Sequence, residues 1–385
     1  MPNKHQPLRL AIDGNEANCV SRVGSNAYAY YLLTNMVKAA KTLHRDFVLT
    51  IFLDREPLPD MPQESAKVNY KIMRPQKLWT QLGLPAHLFL NCAQYDLFFT
   101  PGHYAPRCCP IPYVSSVMDL AFLRYSELFR KRDLFKLESW TRYSVHHASK
   151  VVAISNFTKE EICYFYDKNS ADIIVAPPGL GDNLPKLTPT QTANILRSLG
   201  INQPFFLYLG TLQPRKNILR LIAAFEKLTR TYQGEKTLLV LAGKNGWLTD
   251  EIERTIAQSS AREQIILTGF VDAKQKAALL SKALATCNLG IYEGFGIPVL
   301  ESLYYQTIPI FAHNTAMSEA AGQAGIGVNP FSISEITQAM KKVCHLNSKE
   351  QNNFKLQAKK QVEKFSYQKT ANHILTQLYK LAQTS

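Results

Sequence analysis

The stretch "ALATCNLGIYEGFGIPVLES", residues 283–302, combines a strand, a glycine turn and the start of a helix. The uncharged, mostly apolar run 283–292 predicts a buried strand. Gly294 and Gly296 allow positive φ and a close approach of the backbone to a ligand. Pro298 suits the first turn of a helix, where its missing N–H costs nothing. The segment therefore predicts a helix N-terminus that suits an anion such as a diphosphate.

Two glutamates flank this turn, and the sequence leaves their role open. Glu293 precedes the glycines, and Glu301 lies about 5 Å along the predicted helix. The pair suits either general acid and base chemistry or the binding of sugar-nucleotide hydroxyls on either side of a phosphate. Two glutamates alone would be solvated side chains at an ordinary junction. The strand, the glycines and the proline together favour a binding site.

The strand–turn–helix pattern repeats along the chain and predicts two Rossmann-like α/β domains that face each other across a cleft. We expect one domain over 1–180 and a second over 190–364, joined by a proline- and glycine-rich linker at 177–191. The amphipathic helix at 365–385 packs either on its own domain or, as we expect, back on the first. The predicted strands are 8–13, 47–53, 95–100, 111–117, 150–155 and 172–177, then 205–210, 236–243, 264–270, 283–292 and 308–312.

Two further turns after strands carry residues suited to a phosphate. In "YLGTLQPRKN", 208–217, Arg215 and Lys216 fall at a predicted helix start, where cations oppose the helix dipole. A ligand anion would offset that cost, and a solvated basic pair is the plainer alternative. In "NCVSRVGSNAYAYYLL", 18–33, Gly24 either brings backbone close to a phosphate or serves as an ordinary turn glycine. The G-x-G-x-x-G dinucleotide fingerprint is absent.

Two loops after strands of the first domain supply candidates for the acceptor side. "TPGHYAP", 100–106, contains His103, which can act on an acceptor hydroxyl, although a lone loop histidine more often has no such role. "SVMDLAF", 116–122, contains Met118 and Asp119. Asp119 at a strand end is the better candidate.

The composition limits the class of partner. A formal charge of +14 over 385 residues implies acidic partners such as phosphorylated ligands. No motif that reads DNA or RNA accompanies the charge, so we expect no nucleic-acid partner. The basic amphipathic stretch 126–150 suits either an anionic membrane surface or the solvated face of a docked helix.

Cysteine and hydropathy patterns bear on metal sites and compartment. Seven scattered cysteines without a CxxC pair, and histidines without HExxH, argue against a disulfide framework or a zinc site. The sequence has no apolar run of 18 residues and no signal-peptide pattern. We therefore expect a cytoplasmic protein, with peripheral contact at the inner face of the membrane as an open alternative.

In combination, these motifs resemble those of the family-four retaining glycosyltransferases, which have the GT-B fold. The family's E-G-F-G-x-P-x-x-E loop corresponds to Glu293–Glu301, and its "PRKN" element to Pro214–Asn217. The match is strongest from about 205 to 330. Also similar are "AGKNGWL" (242–248), "LTGFVD" (267–272), "SEAAG" (318–322), "ASKVVAISNFTKEEI" (148–162) and the Gly24 turn.

The resemblance implies a nucleotide-diphosphate sugar, such as a UDP- or GDP-sugar, as co-substrate, with no metal and no other cofactor. It also implies that 190–364 is the donor-binding domain and 1–180 the acceptor-binding domain. Arg215 and Lys216 would neutralise the leaving diphosphate, Glu293 would bind hydroxyls of the transferred sugar, and Glu301 would bind the ribose. The main chain near Val271 would meet the base. Main-chain N–H groups near three further residues would hold sugar and phosphate; these residues are Phe295, Gly296 and Ile297.

We therefore expect transfer of a hexose to a glycan or lipid-linked acceptor, in the synthesis of a polysaccharide, lipopolysaccharide or capsule. Glu293, Arg215 and Lys216 are the catalytic candidates, with Asp119 on the acceptor side. Family members often carry His-Asp where this chain has Met118-Asp119, which bears on substrate or rate. The alternatives are a sugar-nucleotide epimerase or hydrolase of the same fold, and a non-catalytic binding subunit.

Overall fold

The computed structural model of the protein describes residues 6–43, 45–74, 76, 79–102, 104–182, 184–246 and 250–384. The chain forms two compact units, one of Met1–Gly179 with Phe365–Ser385 and one of Leu180–Lys364. Each unit is built on one parallel sheet with helices between its strands. Within the described residues, no helix combines the length and apolar character needed to cross a membrane.

The first unit contains a seven-stranded sheet. Its strands are β1 Leu8–Asp13, β2 Phe47–Leu53, β3 Val68–Ile72, β4 Leu97–Thr100, β5 Tyr113–Val117, β6 Lys150–Ala153 and β7 Ile173–Val175. They lie in the order β3-β2-β1-β4-β5-β6-β7, so the order reverses between β1 and β4. Most strand residues are buried because helices cover the sheet on both faces. These helices are α1 Ser25–Thr42, α2 Gly83–Leu90, α3 Ala121–Arg124, α4 Lys131–His147 and α5 Asn156–Tyr166.

The second unit contains a six-stranded sheet. Its strands are β8 Phe205–Leu209, β9 Leu238–Ala242, β10 Ile265–Gly269, β11 Ala285–Asn288, β12 Ile308–Ala312 and β13 Ile326–Val328. The order β10-β9-β8-β11-β12-β13 reverses between β8 and β11. Its helices are α6 Pro189–Ser198, α7 Ile218–Thr231, α8 Asp250–Gln258, α9 Ala273–Lys282, α10 Ile297–Tyr304, α11 Met317–Ala321, α12 Ile333–Cys344 and α13 Ser348–Val362.

The last helix, α14 Tyr367–Ala382, packs on the first unit. The ring of Tyr367 stacks on that of Tyr31 in α1, with centroids 5.2 Å apart. Thr370 Oγ1 donates a hydrogen bond to the carbonyl oxygen of Pro177 at 2.6 Å. The chain therefore returns to its first unit after completing the second.

The boundaries that the structure corrects include those of one strand, the linker and one helix, and two strands are added. The strand predicted over 283–292 ends at Asn288, and the N–H of Ile291 donates to the carbonyl oxygen of Arg215 instead of to a strand. The predicted linker 177–191 was too long, since α6 begins at Pro189 with a capping box. The helix predicted from 216 begins at 218. The strands β3 and β13 lie at sheet edges and were not predicted. The two parallel sheets confirm the predicted α/β class.

Candidate functional site

The predicted ligand-binding residues of the second unit lie where the strand order of its sheet reverses. β8 and β11 are neighbours in the sheet, and their loops leave the same carboxyl edge. In open parallel sheets such a reversal creates a crevice that binds ligands. The loop after β8 carries Arg215 and Lys216, and the loop after β11 carries Glu293.

The two cations lie in a 3₁₀ turn, Pro214–Lys216, that precedes α7. The prediction that they form the start of this helix was wrong, because Asn217 separates the turn from it with a left-handed φ of 62°. Asparagine tolerates this conformation better than most residues. Its side-chain Nδ2 also donates to the carbonyl oxygen of Pro330 at 2.6 Å. The hydrogen bond from Asn217 to Pro330 therefore fixes the end of the turn, which is not part of α7.

The turn brings both cations to Glu293. Lys216 Nζ forms an ion pair with Glu293 Oε1, and Arg215 Nη1 lies 3.8 Å from Glu293 Oε2. Arg215 Nη1 also donates to the carbonyl oxygen of Tyr292 at 2.7 Å. The three charged side chains are only 15–20% exposed. Residues 77 positions apart therefore form one compact charged cluster.

The cluster determines the protonation state of its carboxylate. Burial acts to raise the pKa of Glu293, but the charges of Lys216 and Arg215 outweigh it and hold the pKa below its ordinary value. Glu293 is therefore ionised near neutral pH. A general acid needs a pKa near the working pH. The geometry suits a carboxylate that accepts hydrogen bonds, beside two cations that attract an anion.

The glycine turn that follows is closely fitted. Gly296 has a φ of 100° and caps α10, and no side chain caps that helix. A Cβ at this position would lie 2.6 Å from Met317 Cγ. Phe295 is 3% exposed and packs inside the unit. The N–H groups of Val299 and Leu300 donate to the carbonyl oxygen of Gly296. Ile297 and Pro298 open the helix, and Pro298 has no N–H, so of these two residues only Ile297 carries a main-chain donor.

Glu301 has a partner that the sequence did not reveal. Lys276 Nζ, on α9, donates to Glu301 Oε1 at 2.6 Å, and the two side chains are 29% and 13% exposed. Val271 lies just before the same helix, and Asp272 caps it. The residues predicted to meet ribose and base are therefore linked through α9. The one signal for Lys276 in the sequence was its place one turn after the "LTGFVD" segment.

The candidates in the first unit occupy turns at strand ends. Gly24 caps α1 with a φ of 55°. Met118 follows β5 and is 7% exposed. Asp119 is half-buried. Its Oδ1 accepts a hydrogen bond at 3.1 Å from the N–H of Ala121, the first residue of α3. His103 lies outside the described residues.

Part of the chain matches a known family. Residues 192–361 match the family described as "Glycosyl transferases group 1". O-antigen chain mannosyltransferase B of Escherichia coli is 23% identical over 242 residues, which span 63% of this chain and 63% of the relative. Serotype-specific mannosyltransferase WbdA of Escherichia coli is 26% identical over 265 residues, 67% of this chain and 31% of the relative. These matches span less than two thirds of the relatives' own length.

Solved structures resemble the whole chain. Sucrose-phosphate synthase from Thermosynechococcus elongatus superposes with a TM-score of 0.73 at 16% identity, covering 98% of this chain and 100% of that one. Anabaena HepE in complex with UDP-glucose gives a TM-score of 0.71 at 14% identity, covering 97% and 100%. These likenesses confirm the predicted GT-B fold class. The segment that matches the group 1 glycosyl transferase family, residues 192–361, contains Arg215, Lys216, Glu293 and Glu301.

Proposed function

We propose that the protein is a retaining glycosyltransferase that moves a hexose from a nucleotide-diphosphate sugar to a glycan or lipid-linked acceptor without a metal ion. The ion pair of Lys216 with Glu293, beside Arg215, carries the proposal. It combines two cations and one ionised carboxylate at the strand reversal of a group 1 glycosyl transferase domain. Such a cluster suits a ligand with a diphosphate next to sugar hydroxyls.

In this proposal the diphosphate binds to the basic turn. Arg215 and Lys216 supply positive charge, and the N–H of Ile297 supplies a donor at the start of α10. Gly24, at the start of α1 in the first unit, offers a second main-chain approach to a phosphate. Charge accumulates on the diphosphate as its bond to the sugar breaks, so preplaced cations stabilise the transition state more than the ground state.

The carboxylates orient the rest of the donor. Glu293 accepts hydrogen bonds from hydroxyls of the transferred sugar, beside the main chain of Phe295 and Gly296. Glu301, held by Lys276, accepts from the ribose hydroxyls, and the main chain at Val271 meets the base. Because Glu293 is ionised, it positions the sugar and does not protonate the leaving group.

The candidate contacts to the acceptor lie in the first unit. Asp119, whose Oδ1 accepts from the N–H of Ala121, is the candidate contact to the acceptor, with Met118 beside it in place of the histidine common in the family. His103 is the third candidate. Front-face attack by an acceptor hydroxyl, which retains the anomeric configuration, is the mechanism that the resemblance implies.

The relatives' names support the substrate class. The proteins named as mannosyltransferases point to a glycan of the O-antigen type as acceptor, and the structure of HepE holds UDP-glucose. We therefore propose a UDP- or GDP-sugar as donor and a role in polysaccharide synthesis.

A thermal-shift screen of UDP-, GDP- and ADP-sugars tests donor binding. A true donor stabilises the fold by mass action, by about 2.7 kcal/mol at 100 times its Kd. Failure of every nucleotide sugar to raise the melting temperature would contradict the proposal.

A product assay then separates the alternative activities. NMR of the reaction with an acceptor should show a glycoside with the donor's anomeric configuration. Release of free sugar would indicate a hydrolase, conversion of the donor sugar an epimerase, and binding without turnover a non-catalytic subunit.

We also propose peripheral membrane contact through α4. Phe135 is 76% exposed on this helix, among the exposed cations Lys131, Arg132, Lys136 and Arg142. An exposed aromatic residue within a basic face suits an anionic lipid surface. Flotation with liposomes containing phosphatidylglycerol should recover the protein at low salt. The Phe135→Ser variant should float less, and no recovery of the wild type would contradict the idea.

A further inference from the structure

A cavity of about 410 Å³ opens at the carboxyl edge of the first sheet. It lies where the strand order reverses between β1 and β4, the position that the charged cluster occupies in the second sheet. Asp13 ends β1, Asp54 follows β2 and Thr100 ends β4, and all three line the cavity. Both its volume and its place at a strand reversal are those of a ligand site.

The polar lining includes three carboxylates, those of Asp13, Glu16 and Asp54. Asp54 is neutralised by Arg55, whose Nε and Nη2 donate to its two oxygens at 2.7 and 2.9 Å. Asp13 and Glu16 have no such cation among the described lining residues. Oε2 of Glu16 accepts from Asn26 Nδ2 at 2.7 Å, whereas no described residue donates to Oε1. The pocket therefore offers carboxylate oxygens to a ligand that brings donors.

The remaining lining is aromatic and apolar. Trp79 and Tyr104 line the cavity together with Leu58 and Val20. Trp79 is only 7% exposed, so its position is set by the core of the unit. Rigid aromatic surface opposite a few polar groups is a common design for binding small ligands. A sugar ring matches both parts, because its hydroxyls are donors and its C–H faces are apolar.

We propose that this pocket binds the accepting sugar of the acceptor, as an uncharged ring rich in hydroxyl groups. The inference rests on the proposed transferase function and narrows its acceptor. Hydroxyls donate to Asp13 and Glu16, and the C–H faces pack on Trp79 and Tyr104. A phosphorylated or carboxylated ring would place negative charge against Glu16 and be rejected.

Two variants separate the charge of Glu16 from its position. Glu16→Gln keeps the shape and removes the charge. Gly102→Ala moves the side chain instead, because a Cβ at Gly102 would lie 3.0 Å from Glu16 Cγ. Glu138→Gln, on the exposed face of α4, is the matched control outside the cavity.

Binding is measured by saturation-transfer NMR without donor, using the methyl glycosides of mannose, glucose and galactose and their 6-phosphates. At least one neutral glycoside should bind, and its 6-phosphate should bind at least tenfold more weakly. Glu16→Gln and Gly102→Ala should each weaken binding of the neutral glycoside about tenfold. Glu16→Gln should also reduce the preference for the neutral glycoside over its 6-phosphate. Glu138→Gln should change neither value.

Three results would overturn the inference. They are binding of no neutral glycoside, equal binding of the phosphates by the wild type, or an unchanged preference in Glu16→Gln that still shows a native thermal melt. The donor screen is independent of this assay. If a nucleotide sugar binds while the glycosides do not, the proposal for the pocket is contradicted and the transferase proposal is not.

Discussion

Each sheet of this protein has a carboxylate beside its strand reversal, and the surroundings shift the pKa values of the two carboxylates in opposite directions. In the second unit Glu293 follows β11, beside the strand reversal, and Lys216 and Arg215 hold its pKa below the ordinary value against the effect of burial. In the first unit Asp13 ends β1, also at the reversal, and is 6% exposed. Burial, with smaller effects of Glu16 and Asp54, raises the pKa of Asp13 to about 7.

The difference shows that the fold supplies the position and the loops supply the chemistry. A crevice at a strand reversal is common to both sheets. The second unit brings cations there from the neighbouring loop, which suits an anionic ligand. Among the described residues of the first unit's cavity, one arginine faces three carboxylates, which suits a neutral donor-rich ligand.

Removing Lys216, one of the two cations in the charged cluster of the second unit, should have the largest effect on the rate of transfer. In Lys216→Met we expect the rate of transfer to fall about 100- to 1,000-fold, because charge on the leaving diphosphate loses a preplaced partner. The measurement is kcat with the donor found in the thermal screen. Lys227→Met, on the exposed side of α7, is the control and should stay near the wild-type rate. A Lys216→Met rate within threefold of wild type would contradict the role.

The pairing within the cluster is tested by a double-mutant cycle. Glu293→Gln should also abolish most of the activity, and the double variant should lose little more than either single one, since the two residues act as a unit. Strictly additive losses would show that Lys216 and Glu293 serve different steps.

In the cavity of the first unit, removing the carboxylate charge of Asp13 should stabilise the protein. Because the folded pKa of Asp13, about 7, exceeds its ordinary value, the folded state binds the extra proton between about pH 4 and 7. Stability is therefore lost as pH rises through that window. Asp13→Asn should match the wild type near pH 4 and exceed it at pH 8, by at most about 4 kcal/mol for a shift of roughly 3 pH units.

Urea unfolding at both pH values measures this difference. A Trp247→Phe background confines the tryptophan signal to Trp79 and Trp140 of the first unit. Asp46→Asn, at a half-exposed ion pair with Lys67, is the control carboxylate outside the cavity. Equal stability of Asp13→Asn and its parent at pH 8 would show that burial does not raise the pKa of Asp13.

The two sites also differ in how far the sequence predicted them. The residues Glu293, Glu301, Arg215 and Lys216 stand in two short segments with glycine and proline spacing, so local pattern was enough. The cavity of the first unit draws on three separate loops, which follow β1, β2 and β4. Two of these loops overlap the segments 18–33 and 100–106 that the sequence marked, but no local pattern showed that they share a cavity with the loop after β2. Packing details such as the end of β11 depend on contacts between distant loops and were not predictable.

The glycine turns of the two units should differ in their tolerance of a side chain. Gly296→Ala combines a φ of 100° with a Cβ 2.6 Å from Met317 Cγ, and should cost about 3 kcal/mol of unfolding free energy. Gly24→Ala has an unfavourable φ of 55° but nothing within 4 Å, and should cost about 1–2 kcal/mol. Thermal melting of both variants measures the contrast. An equal cost would show that the contact with Met317 relaxes freely.

The smallest expected effect concerns the partner of Glu301. Lys276→Met removes the ammonium that holds Glu301 Oε1 at 2.6 Å but leaves the basic turn intact. If Glu301 binds the ribose, a carboxylate that is no longer held in place should weaken binding of the donor equally in the ground state and in the transition state. The KM for the donor should then rise about three- to tenfold, or roughly 1 kcal/mol, with kcat nearly unchanged. Lys274→Met, on the exposed side of the same helix, is the control for loss of charge. A fall in kcat at constant KM would instead place Lys276 with Lys216, among the groups that act on the leaving diphosphate.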